Sequence, residues 1–190
     1  MSLPSEFDRD QDNSIFPLIV GKDLDRHFNL EMALVEFSRL FAQESNDRAM
    51  VIVGASFLDT QLEHIVRNFL VDDEKEVDAL LQYDQPLGSY GNRIRTLYCL
   101  GLIGKMVRDD LRLVGKIRNR FAHDLIASFD EEPIKGWARS LQWHRKTYME
   151  PPAGAAPREL FNVGVNRLVG HLSGIVSVAR SARRSMRREV

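Results

Sequence analysis

The chain has 190 residues, enough for one compact domain with a sizeable core, and 26 Lys and Arg against 27 Asp and Glu give a formal net charge of −1. That balance excludes a whole-molecule field drawing in nucleic acid or an anionic membrane, so any such attraction has to be local. The only cysteine, Cys99, excludes an intrachain disulfide; with no basic, apolar and small-residue secretion leader at the start, the protein is expected to be cytoplasmic.

Residues 1–23 read as a loosely ordered leader, polar at first and then a short apolar patch, Ile15 to Val20, interrupted by Pro17. The period then becomes helical. Leu30, Leu34, Phe37 and Phe41 recur at three- and four-residue intervals and predict a first helix over about Asp25 to Gln43. Ser45-Asn46-Asp47 supplies cap chemistry for a second helix, about Asp47 to Leu70. There Val51, Ala55, Leu58, Leu62, Ile65 and Phe69 form the core stripe, and Asp59, Glu63 and Arg67 face away. The longest nearly apolar run, Ala49 to Leu58, stops at Asp59, short of the roughly 20 residues that cross a bilayer, so no membrane span is expected. The charge run Asp72 to Glu76 reads as a solvated turn before a short helix over Val77 to Leu81.

Gln85 to Gly91 joins a proline to two glycines and is a loop, with Ser89 placed to cap a third helix carrying Ile94, Leu97 and Leu100. Gly101 and Gly104 end that helix at a tight corner, and Cys99, among apolar neighbours, reads as buried. A fourth helix, about Asp109 to His123, opens on an acidic pair suited to the positive end of a helix dipole and keeps Leu113, Ile117 and Phe121 on one face. Its C-terminal end, Lys116 to Asp124, is a dense run of hydrogen-bonding side chains broken only by apolar residues at helical intervals. Asn119 and His123, four apart, share a helical face; Arg118 lies further round. These groups can satisfy the last carbonyls and lock the corner after the helix, or they can form a site.

Beyond the motif, Ile134 to Tyr148 predicts a short helix anchored by Trp137 and Leu141, and Glu150 to Pro157 a flexible loop. The last helix, about Pro157 to Ser185, turns Leu160, Val163, Leu168, Leu172, Ile175 and Val176 to the core. It ends in Arg180, Arg183, Arg184, Arg187 and Arg188, with 187–190 as a basic tail. Clustered guanidinium groups bind phosphates, and they also suit a helix C-terminus. Together with Arg120 they are the candidate residues for binding a nucleic acid or a partner protein. The expected fold class is all-α, a single-domain helical bundle of about six to seven helices over residues 24–186.

Asp110-Leu111 and Ile117-Arg118-Asn119-Arg120-Phe121-Ala122-His123, preceded by Pro86-Leu87-Gly88-Ser89-Tyr90 and Leu100-Gly101-Leu102-Ile103, resemble the mannitol operon repressor (MtlR) family. The resemblance spans about Leu30 to Leu172 and implies an all-helical fold and transcriptional repression. No helix-turn-helix with a polar recognition helix is evident, so regulation is expected to run through a regulatory protein partner more than through direct DNA reading. The same core is similar to the Arg-x(4–6)-His motif of the HEPN superfamily, which implies the alternative of a dimeric, metal-independent ribonuclease with Arg118, Asn119 and His123 as catalytic residues.

RNA cleavage by its own 2′-hydroxyl needs a base, a proton donor to the leaving oxygen and positive charge beside the phosphorane. His123 can move a proton near neutral pH, Arg118 can hold the phosphate, and Asn119 can orient either. One histidine per chain does not supply both acid and base, so that reading requires a homodimer. The five histidines show no His-x-x-x-His or Glu-x-x-His spacing, and neither metal nor cofactor is expected.

Overall fold

The structure is a computed structural model, and it describes Val35, Phe37, Arg39 and Phe41 together with residues 44–142 and 154–187. The predicted leader, most of the expected first helix, the stretch after Gln142 and Arg188 lie outside the described residues. Val35, Phe37, Arg39 and Phe41 are helical, and the Phe37 and Phe41 rings are buried and stacked with centroids 4.8 Å apart.

Six helices follow among the described residues, with no strand: α1 (Asp47–Phe69), α2 (Glu74–Leu81), α3 (Tyr90–Cys99), α4 (Lys105–His123), α5 (Ile134–Arg139) and α6 (Pro157–Ser181). The all-helical, single-domain expectation holds. α1 starts where Asn46 accepts from the Ala49 amide at 3.0 Å, and it buries every residue of the predicted stripe together with Met50, Gln61 and Val66. By length and composition α1 could cross a bilayer, more than the run Ala49 to Leu58 indicates. Half of its most apolar stretch is nevertheless buried inside the domain, as in the core helix of a bundle.

α6 lies along α1 in the same direction, and both ends are pinned. At the start, Arg158 Nε pairs with Asp47 at 2.6 Å and its Nη2 donates to the Glu44 carbonyl at 2.7 Å. At the far end, Arg180 donates to the Asn68 side chain at 3.3 Å, and Arg183 donates to the Leu70 carbonyl at 3.2 Å and pairs with Asp72 at 2.9 Å. α6 stops at Ser181, four residues before the sequence-based end. The backbone amide of Arg184 already bonds the Phe69 carbonyl at 2.9 Å, so the chain has turned across the end of α1.

Three other expectations are corrected. Asp59, Glu63 and Arg67 do not face open solvent: Arg93 on α3, nearly buried, pairs with Asp59 and Glu63, and Arg67 pairs with Glu63 and Asp78. α4 begins at Lys105, four residues before the acidic pair, with Gly104 at its N-cap. Asp110 is therefore an interior carboxylate, 1% exposed, accepting the Gln142 amide on both oxygens at 3.0 Å and so fixing the chain after α5. Cys99 is exposed, because α3 turns Ile94 and Leu97 inward and leaves its last residues on the outside.

The predicted glycine corner after α3 is present. Gly101 has φ +74°, with its amide bonded to Tyr98 O and that of Leu102 to Leu97 O, both at 3.0 Å. This is the left-handed ending that favours glycine.

Candidate functional site

α4 places the polar stretch because its inner side is committed to the core: Val107, Leu111, Val114, Ile117 and Phe121 are each 1% exposed or less. The intervening residues are thereby driven outward. Asn119, Arg120 and His123 are exposed and Arg118 is half-buried. Among the described residues, the side chains of Arg118, Asn119 and His123 have no hydrogen bond or ion pair. Arg120 pairs with Asp124 at 2.9 Å.

Asn119 and His123 do not close the corner after the helix; Arg48, a residue that sequence reasoning passed over, does. From the first turn of α1 its Nη1 donates to the Phe121 carbonyl, and its Nη2 donates to the carbonyls of Asp124 at 2.8 Å and Leu125 at 3.0 Å. Asp124 adds a local turn by accepting the Ile126 amide at 3.1 Å. The carbonyls at the end of a helix need donors, and here a guanidinium 73 residues away supplies them. Only the register of α1 against α4 could reveal this, since nothing in the local spacing does.

The outer face of α4 divides into two depressions. One, of about 380 Å³, is lined by Lys116, Asn119, Arg120, His123, Asp124 and, from α5, Trp137. The Lys116 ammonium stands 5.8 Å from the Trp137 ring centroid. The other, of about 400 Å³, lies between α3 and α4. Ser89, Tyr90, Gly91 and Ile94 form one wall, and Arg112, Gly115, Lys116, Arg118 and Asn119 form the other.

The predicted pair Asn119 and His123 thus opens into one depression, with Arg118 on the wall of the second, as expected when Asn119 lies roughly 100° and His123 roughly 140° round the helix from Arg118. Lys116 and Asn119 are the ridge shared by both.

Tyr90 is the aromatic part of the α3 wall of the second depression. Its hydroxyl donates to the Leu111 carbonyl at 3.0 Å, and its ring lies so close to α4 that a Cβ on Gly115 would meet Tyr90 Cε1 at 3.1 Å. Burial, reinforced by the Asp59 charge, pushes the Tyr90 hydroxyl well above the ordinary tyrosine range, with Arg118 opposing. The hydroxyl therefore stays protonated as a fixed donor.

Two of the C-terminal arginines are committed to the end of α1. Arg180 and Arg183 hold the end of α1, and Arg184 lies over the Phe69 ring at 5.0 Å. Arg187 is exposed, and Arg188 lies outside the described residues.

The all-α fold has a solved counterpart. It is a chain of the X-ray structure of the MtlR–HPr complex from Escherichia coli, which matches with a TM-score of 0.58 at 22% identity over 76% of this chain and 99% of that one. The likeness establishes an MtlR-like fold. No protein-family model matches the sequence, and no curated protein matches it.

Proposed function

We propose that the protein is a cytoplasmic transcriptional regulator of the mannitol-repressor kind, working by docking on a small regulatory protein. One observation carries this reading: the fold matches nearly the whole of a chain solved in the MtlR–HPr complex. The outer face of α4 supports it, because Asn119 and His123 are exposed beside Trp137 and held by no partner among the described residues. Groups of this kind can enter an interface without first breaking internal bonds. The test is titration calorimetry of the full chain with HPr purified from the same organism. Saturable binding is expected, weakened by His123→Ala together with Asn119→Ala; absence of heat through the micromolar range removes the reading.

A second reading, the dimeric metal-independent ribonuclease, is favoured by the same uncommitted Arg118, Asn119 and His123. Within one chain Arg118 and His123 open into different depressions, so their convergence on one phosphate would need the α4 face of a second copy. Incubation of RNA with the protein and with its His123→Ala form decides it: equal cleavage by both, or none, sinks the nuclease.

A further inference from the structure

The depression between α3 and α4 goes beyond the regulatory reading, because its lining is charged with one sign only. Arg112, Lys116 and Arg118 stand on its wall, and no carboxylate does. Five arginines elsewhere in the domain, Arg67, Arg93, Arg108, Arg158 and Arg183, each hold an Asp or Glu. Around this depression none of the three cations has an ion-pair partner among the described residues. In a chain with 27 acidic residues, that is a local excess of positive charge that a bound anion would relieve.

Two further features favour an anion of a particular kind. Ser89 caps α3 by accepting the Asn92 amide at 3.2 Å, and the Ser89 carbonyl takes the Arg93 amide at 3.0 Å. The amides of Tyr90 and Gly91, two residues that line the depression, are left with no acceptor among the described residues. The α3 wall is apolar and fixed where the Tyr90 ring presses on Gly115 and where Ile94 lies. A volume of about 400 Å³ is that of a small-molecule site.

We propose that this depression binds a small phosphomonoester, with its dianion held by Arg112, Lys116 and Arg118 and its organic part lying on Tyr90 and Ile94. A terminal phosphate offers three acceptor oxygens and close to two negative charges, which three cations match better than they match one carboxylate. A nucleic-acid strand fits less well, since it needs a continuing basic track. Past Asn119 the face instead opens into the other depression, where Arg120 is already paired with Asp124.

The test is titration calorimetry of the full chain at constant ionic strength with glucose 6-phosphate, inorganic phosphate, glucose and a uridine oligonucleotide. Glucose 6-phosphate is expected to bind saturably and glucose not at all, and inorganic phosphate is expected to compete. The variant Arg112→Gln/Lys116→Gln/Arg118→Gln should lose affinity by roughly tenfold or more, and Arg184→Gln, over the Phe69 ring and outside the lining, should match the parent. If circular dichroism shows the triple variant unfolded, Arg118→Gln alone, expected to lose roughly tenfold, decides in its place. The proposal is overturned if glucose 6-phosphate shows no saturable heat at millimolar concentration, if its affinity survives the charge removal, or if the oligonucleotide binds there and the phosphomonoester does not.

Discussion

Arg48 and Asp124 are 76 residues apart in sequence and joined by a 2.8 Å hydrogen bond from Arg48 Nη2 to the Asp124 carbonyl, which fixes the end of α4 onto the start of α1. Replacing Arg48 by Met removes the donor to three carbonyls and keeps most of the side-chain volume. A loss of about 2 kcal/mol in urea unfolding is expected, the scale of a hydrogen-bonded charged group, with faster amide exchange confined to residues 121–126. An unchanged midpoint would show that the corner holds without it.

His123→Ala and Asn119→Ala are expected to do the opposite. Both side chains are exposed and unpartnered among the described residues, so each substitution should shift unfolding free energy by less than about 0.5 kcal/mol. A larger loss for either would return that residue to a structural role.

Gln61 is fully buried in α1, and neither end of its amide has a hydrogen-bond partner among the described residues. Burying such a group without a partner is unfavourable, so Gln61→Leu is expected to raise stability by about 1 kcal/mol, read as a higher urea midpoint at constant slope. Destabilisation would reveal a bond that the amide does make.

The two ends of the arginine cluster should behave differently. Arg183→Ala loses the bonds to the Leu70 carbonyl and to Asp72 and is expected to cost about 1 kcal/mol in thermal unfolding. Arg187→Ala, at an exposed position, should leave the transition where it was. Equal effects would contradict the clasp on α1.

His171 gives the folded state a pH dependence of known sign. Burial lowers its pKa, so the unfolded chain takes up a proton more readily than the folded one. Stability is then fully present above the ordinary imidazole value of about 6.5 and falls as pH drops below it, levelling off once the folded state is protonated as well. His171→Gln should flatten the stability curve over that window. A curve unchanged by the substitution would assign the slope to other groups.

Periodicity and local cap chemistry carried most of the fold. The stripe from Val51 to Phe69, the Asn46 and Ser89 caps and the left-handed Gly101 are readable because each depends on residues within one or two turns. The exposure of Asn119 and His123 was legible for the same reason, since Ile117 and Phe121 fix which side of α4 is inward. Charge was the poor guide. Asp109-Asp110 looked like a helix opening, and Asp110 became an interior acceptor for Gln142; the terminal arginines suited either a phosphate or a helix end, and Arg183 became a cap on α1.

By itself, then, the amino-acid sequence determined the all-helical class, the core faces and the polar stretch Lys116 to Asp124, because helix formation and amphipathic burial are set by short-range spacing. Only the tertiary structure decided which charges are spent and which are free. A carboxylate or guanidinium finds its partner across the packed helices, as Arg48 finds Asp124 and Arg93 finds Asp59, and that pairing follows from their relative register. Arg112, Lys116 and Arg118 stand out because the same packing brought no carboxylate to the wall they line.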